Sequence, residues 1–317
     1  MTVRGATNQF LCKKTWQRVR KCYALYLFFI PIAIYYILFQ YIPLAGSIIA
    51  FKDYNFVQGI WGSPWAENGG FRHFIRFLTN GEFARVFSNT VILAAMRIGI
   101  GFPAPIILAL LFNEMRGERY KRVLQSISYL PHFVSFVVVY AVLYNFFSYD
   151  GFFNRIGMTL FGREPVLYLG ETKYYRWLFT FSSLWKEMGW NSIIYLAALS
   201  RVDVTLYEAA DLDGATRFQK LWHITLTQLR PIISIQLILT MGGLFGVSLD
   251  QTMVMINDMV ASVAEVTDYY VYRSGLLTIN QYSYAAAIGL FNSVLGFVMV
   301  LLTNWTAKKL DEENGLW

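Results

Sequence analysis

Along this chain, long apolar runs alternate with short charged ones, and one of the charged runs has a periodicity of its own. Apolar stretches near residues 23–43, 89–112, 123–147, 175–199, 232–256 and 284–305 each approach the roughly 20 residues a helix needs to cross the hydrocarbon core of a bilayer. Between the fourth and fifth lies Arg201 to Pro231. There, Thr205-x-x-Glu208 has the spacing of a capping box, in which the hydroxyl covers a free first-turn amide and the carboxylate reaches back, so a short helix is predicted from about Thr205. Gly214 stands where a helix end favours positive φ. Beyond it, Phe218, Leu221, Trp222, Leu226 and Leu229 recur at three- and four-residue spacing, one apolar stripe of a second helix. The segment reads as helix, glycine turn, amphipathic helix, and an apolar face on an aqueous loop needs something to cover it.

Composition turns this pattern into a class. The 317 residues are 56% hydrophobic, 18% aromatic and only 15% charged, which is the balance of an all-α, multi-spanning membrane protein. The net charge of +7 does not indicate a nucleic-acid partner, because the basic residues cluster at the ends of apolar runs, as a topology signal does. Residues 1–22 hold Arg4, Lys13, Lys14, Arg18, Arg20 and Lys21 without an acid, and Lys308 and Lys309 follow the last run. Both termini are therefore expected in the cytoplasm, with a basic leader (1–22), a membrane domain (23–306) and a tail (307–317). The first run is longer than a signal core and no small-x-small site closes it, so it is predicted to be a retained span, kinked at Pro31 and ended at Pro43. Cys12 and Cys22 both precede it, which argues against a disulfide framework.

Several interruptions carry candidate chemistry. Arg97 precedes G-I-G-F-P-A-P inside the second run, a breaker cluster tolerated where backbone is packed in protein or lines a cavity. Lys52 to Ser88 is expected outside, with a short helix near Phe71 to Leu78, and Asn257 to Tyr282 is also expected to be external. Lys186 and Glu187 interrupt the fourth run, where a charge costs about 2.5–3.5 kcal/mol on insertion scales. As neighbours in a helix their side chains should diverge, so each is expected to need another partner, Arg97 or Asp250. They read either as structural pairs or as a polar translocation path. Trp185, Trp190, Asn191, Phe245, Asp250, Tyr284 and Asn292 have the flat faces and hydrogen-bonding groups a sugar requires, but also suit interface or core positions. Gly242, Gly243 and Gly246 suit either close helix contact or flexibility. No G-x-x-x-x-G-K-[ST] loop occurs, so ATP binding is not expected in this chain. His73, His132 and His223 are scattered across the predicted membrane, which disfavours a shared metal or acid–base site.

Glu208-Ala209-Ala210, then Gly214, then Ile224-x-Leu226 resembles the "EAA" loop of permease subunits in binding-protein-dependent ABC importers. A-A-L-S before it and L-R-P-I-I after it extend the likeness, as do N-T-V-I-L-A near Asn89, F-P-A-P-I-I-L-A-L-L-F-N-E near Pro103 and Y-S-Y-A-A-A-I-G-L-F-N-S-V around Tyr284. The similarity is greatest to the branch that imports oligo- and polysaccharides, alginate importers among them. It implies a type I importer fold in the bacterial inner membrane, with about six spans and the loop on the cytoplasmic side between spans four and five. It also implies a second permease, two ATPase subunits that hold ATP and magnesium, and an extracytoplasmic solute-binding protein. By the same resemblance Glu208 is the acidic contact to the ATPase, Ala209 and Ala210 permit close approach, and Gly214 makes the turn. The resemblance places Asp213, Phe218, Leu221 and Trp222 on the same coupling surface, though Phe218, Leu221 and Trp222 suit packing on the permease's own cytoplasmic helix ends equally well. Thr227 stands where the family usually has proline, which bears on the loop's exit angle.

The resemblance implies a non-catalytic permease, with no cofactor or metal expected in this chain. An ion-gradient-driven transporter of a small polar solute is the main alternative, against which no inverted repeat is found. A membrane-embedded enzyme is the other. The translocation-path candidates are Arg97, Trp185, Lys186, Glu187, Trp190, Asn191, Phe245, Asp250, Tyr284 and Asn292.

Overall fold

The computed structural model of the chain describes residues 22–278 and 281–310. The basic leader with Cys12 and the end of the tail lie outside the described residues. Among those described, regular structure is helical apart from one isolated bridge between Lys52 and Trp65.

α1 (Tyr23–Tyr36) runs through a π-helical turn (Ile37–Tyr41) into α2 (Ile42–Gly46) and a 3-10 turn (Ser47–Phe51). Pro43 does not end this path. It lies in the first turn of α2, where a missing N–H costs little. Leu25–Phe51 is long and apolar enough to cross a membrane, yet none of its apolar window is buried. The run packs on the remainder of the chain through its final 3-10 turn, where Ala50 is fully buried. The polar stretch that follows is folded rather than loose, with α3 (Gly59–Gly62) and α4 (Arg72–Thr79). Lys52 Nζ donates to the carbonyls of Ile60 and Trp61, each at 3.0 Å, and His73 Nε2 lies 3.0 Å from Asp53 Oδ1.

α5 (Gly81–Met96), a π-helical turn (Arg97–Gly101) and α6 (Pro103–Glu114) form one continuous path, beginning at Gly81 rather than 89 because Asn80 caps it, its Oδ1 accepting from the Glu82 N–H at 3.1 Å. The glycine–proline cluster thus widens one turn instead of breaking the helix. The third run does break. α7 (Glu118–Tyr129) is amphipathic, a 3-10 turn (Leu130–Phe133) holds Pro131, and α8 (Phe136–Phe147) restarts on the Ser135 cap, followed by α9 (Phe152–Phe161). Proline lacks the N–H that would carry the helix through, so 123–147 is not one span, and the apolar stretch is instead Phe136–Phe161.

α10 (Thr172–Leu199) is the axis of the fold, packing against α6, against α7 and the 3-10 turn after it, and against later helices. Its closest approach is at Gly189, where a Cβ would overlap the carbonyl of Ser128 on α7. Gly189→Ala is therefore expected to destabilise the purified transporter by about 2–3 kcal/mol. Gly157→Ala on α9, with nothing within 4 Å of the new Cβ, is expected to leave thermal unfolding unchanged; equal behaviour of the two variants would refute the close-packing account.

After α10 come α11 (Val204–Leu212) and α12 (Arg217–Lys220), the latter continuing through a π-helical turn (Leu221–Thr225) into α13 (Leu226–Gly242). The fifth apolar run was expected at 232–256; it is Arg217–Gly242 instead. The helix stops at the paired glycines Gly242 and Gly243, which weaken helix continuation, and Pro231 is held inside it. Gly242 makes its close contact within the chain: a Cβ on Gly296 would stand 2.6 Å from the Gly242 carbonyl oxygen. Short helices α14 (Leu249–Met255), α15 (Ala261–Ala264) and α16 (Thr267–Tyr272) then lead to a π-helical turn (Arg273–Leu277) and to α17 (Tyr282–Leu310). With Gly81–Glu114 and Tyr282–Lys309, five stretches among the described residues are long and apolar enough to cross a membrane. α10 has the length as well, but carries Lys173, Arg176, Lys186 and Glu187.

Candidate functional site

The loop between α10 and α13 is built by local rules. Asp203, not Thr205, caps α11: its Oδ1 accepts from the Thr205 N–H at 2.9 Å, and that bond holds the Asp203 carboxyl below the usual carboxylate range. Either residue type can cap; capping two residues earlier puts Thr205 inside the first turn. The capping box lies in the second helix, where Thr216 and Gln219 reciprocate. At the other end of α11, Gly214 has φ +75°, the Ala215 N–H donates to Ala210 O at 2.9 Å and the Gly214 N–H to Asp211 O at 3.1 Å. This is the Schellman pattern of a glycine-terminated helix. Lys220 Nζ, 2.6 Å from Asp211 Oδ1, ties the two helices together.

The turn is thereby well defined, yet its outer face is uncovered. Leu212 is 90% exposed, Phe218 70% and Trp222 57%, and the last two stack with centroids 6.2 Å apart. Glu208, Ala209 and Asp213 are exposed, while Ala210 and Leu221 are half-buried. Glu208 makes no hydrogen bond or ion pair among the described residues. It does not cap its own helix.

A cavity of about 930 Å³ lies between α5–α6, α10, α13 and the segment after α13. Four of the path candidates line it, Arg97, Glu187, Trp190 and Asn191, together with Gln236 and Thr240. The remaining candidates lie elsewhere. Trp185 is on an exposed face of α10, and Asp250 is exposed in the first turn of α14. Phe245 stacks on Phe87. Tyr284 is buried against Phe77 and Tyr270, and Asn292 is buried with its Nδ2 3.5 Å from Asp268 Oδ1.

Lys186 and Glu187 meet each other after all. Lys186 Nζ is 3.1 Å from Glu187 Oε1, and both converge on His132 of the 3-10 turn: the imidazole Nδ1 lies 2.8 Å from Glu187 Oε2, and Lys186 Nζ donates to the His132 carbonyl. A carboxylate can only accept, so Nδ1 carries the hydrogen. The imidazole also stacks on Trp190, centroids 4.5 Å apart and planes within 4°. Long side chains can wrap a helix toward a common external partner, which the divergence of adjacent Cβ vectors did not anticipate. Arg97 instead donates from Nη1 to the carbonyls of Gly246 at 3.1 Å and Gly243 at 3.4 Å, satisfying groups freed where α13 ends.

A second polar cluster was not foreseen at all. Glu265, nearly buried, lies 2.7 Å from Arg85 Nη2 and 2.9 Å from Arg273 Nε, while Asn89 donates to the carbonyls of Ser262 and Glu265 and accepts from Arg176. The stretch expected as an external loop is thereby bound onto α5. Arg85 and Glu265 read as ordinary loop charges in sequence, and no local signal links them.

These features define an integral membrane transporter subunit: a bundle of apolar helices around a largely apolar cavity with a few polar groups on its wall, and a well-defined turn projecting from it. The chain matches the binding-protein-dependent transport system inner membrane component family over residues 101–312 and belongs to that family. It is thus an inner-membrane permease subunit of an ABC importer, non-catalytic, with ATP hydrolysis carried by a separate subunit. It is 43% identical over 290 residues to Protein LplB of Bacillus subtilis (strain 168), covering 91% of this chain and 90% of that one. It is 40% identical over 289 residues to the polygalacturonan/rhamnogalacturonan transport system permease protein YteP of the same organism, covering 91% and 89%. The crystal structure of a bacterial ABC transporter involved in the import of the acidic polysaccharide alginate superposes with a TM-score of 0.85 at 33% identity, over 94% of this chain and 99% of that one.

Proposed function

We propose that this chain forms half of the translocation pathway for an oligo- or polysaccharide, handed over by an extracytoplasmic solute-binding protein and moved at the expense of ATP. The observation that carries the coupling role is the uncovered face of the α11–α12 turn. Leu212, Phe218 and Trp222 are apolar, held on a capped and ion-paired scaffold, and covered by nothing among the described residues. Such a face suits docking into a groove of an ATPase subunit, with Glu208 as its acidic contact. Each permease engages one of two ATPases, which bind ATP and magnesium. In this reading the turn and both termini face the cytoplasm, and α10 is the sixth crossing, with Glu187 on the cavity wall and Lys186 and Arg176 answered by partners within the chain. The unburied Leu25–Phe51 span favours a second permease beside it, and the asymmetric polar positions favour a different chain as that partner. The cavity, with Trp190, Asn191, Gln236 and Thr240 on its wall, has the mixture of flat face and amide and hydroxyl groups a sugar needs. Relatives and structural neighbours named for pectic polysaccharides and alginate support a saccharide, acidic ones included. An ion-gradient-driven mechanism finds no support in this family membership.

Affinity purification from gently solubilised native membranes tests the assembly. The expected result is recovery of an ATPase and one further, different permease. Two copies of this chain without another permease would refute the heteromer, and recovery of the chain alone would refute the assembly.

A further inference from the structure

We infer that Arg97 is the residue through which this permease selects an acidic saccharide, its guanidinium receiving a uronate carboxylate as the chain passes through the cavity. The inference rests on the saccharide-importer reading above. Two of the residues lining the cavity carry a formal charge, Arg97 and Glu187. Glu187 is already neutralised: Oε1 by Lys186 at 3.1 Å and Oε2 by the imidazole of His132 at 2.8 Å. Arg97 is not. It has no carboxylate within 4.0 Å among the described residues, and both of its hydrogen bonds run from Nη1, to the Gly246 and Gly243 carbonyls.

That arrangement is unusual for a cation within a membrane helix, where charge is expensive and normally paired. The two carbonyl bonds fix the guanidinium in place through one nitrogen. Nη2 and Nε are left with no partner among the described residues, as a planar pair of donors whose spacing matches the two oxygens of a carboxylate. The residue opens a π-helical turn, Arg97–Gly101, in the middle of an otherwise α-helical path, a local irregularity that often marks functional positions. The pairing of Glu187 matters as much as the cation itself. With its charge answered by Lys186, the wall does not repel an anion, and Arg97 leaves the cavity with a positive excess. Hydroxyl and amide groups nearby, such as Asn191, Gln236 and Thr240, are equally suited to neutral and acidic sugars. Discrimination therefore falls to Arg97.

The test uses the complete transporter, this chain with its partner permease, ATPase subunits and binding protein, in proteoliposomes. The probes are a labelled oligogalacturonate and its carboxyl-reduced neutral counterpart, both at concentrations that saturate delivery. Wild type is expected to import the acidic probe faster. Arg97→Gln is expected to lower acidic uptake about tenfold while changing neutral uptake little, and Arg97→Lys to restore part of the acidic rate, since a point charge attracts the anion without the planar fork. A purely structural Arg97, needed only for the carbonyls at the end of α13, predicts that both probes fall together, and that outcome overturns the proposal. Equal import of both probes by wild type overturns it while leaving the importer reading intact; absence of ATP-dependent uptake of either probe overturns both.

Discussion

In Glu208→Lys, ATP-driven uptake is expected to fall to background while the protein still inserts and accumulates normally. The side chain is exposed on α11 and makes no bond among the described residues, so the substitution removes no contact there and its effect on stability is expected to stay within about 0.5 kcal/mol. At a docking surface the same change converts an attractive contact into a like-charge one where the partner is basic, which costs several kcal/mol and suffices for loss of more than about a hundredfold in coupled transport. Glu208→Gln, which removes the charge without reversing it, is expected to retain partial activity. The measurement is uptake by proteoliposomes alongside the yield of assembled complex. Wild-type uptake by Glu208→Lys would remove this residue from the coupling contact, and loss of the protein from the membrane would assign it a folding role instead.

The second large effect concerns the buried pair. Glu187→Ala leaves the Lys186 amine, whose side chain is 9% exposed, with the His132 carbonyl and the face of the Phe136 ring but no counter-charge among the described residues. Breaking a buried pair from one side typically costs about 3–5 kcal/mol, and the lower end applies here because Glu187 itself is 32% exposed toward the cavity. The combined variant Lys186→Met with Glu187→Leu is expected to recover most of that loss, since replacing both members by apolar groups removes the uncompensated charge. Thermal unfolding of the purified complex distinguishes these outcomes. If the double variant is as unstable as Glu187→Ala, the damage comes from elsewhere, and the stacking of His132 on Trp190 becomes the first suspect. Because Glu187 also lines the cavity, transport is informative only after stability has been measured.

Much of this molecule is legible in its sequence. The apolar runs mark where helices cross, and the glycine turn at Gly214 is found where positive φ was anticipated, with the full Schellman pattern around it. These succeed because span length and helix termination depend on residues within a turn or two of each other. Errors of the same local kind are small. Asp203 and Thr205 are both competent caps two positions apart, and only the chain's path chose between them. Larger differences appear where composition is ambiguous. Residues 123–147 are apolar enough to suggest a single span, but Pro131 and Ser135 divide that run into an amphipathic helix and a new start. Gly242 and Gly243 likewise end α13 well before the apolar stretch does.

What sequence alone determined was the class, the approximate apolar stretches and the glycine turn at Gly214, since each follows from hydrophobic length, periodicity or turn chemistry along a contiguous stretch. The tertiary structure decided which polar groups face one another. Glu187 finds His132 from 55 positions away, Arg85 finds Glu265 from 180, and Arg97 bonds carbonyls 146 and 149 residues downstream. Those pairings depend on how helices lean together at Gly189 against Ser128 and at Gly242 against Gly296. Close packing brings the backbones within reach, and a buried charge then takes whichever partner the packing supplies, because leaving it alone in the membrane interior is the costlier state.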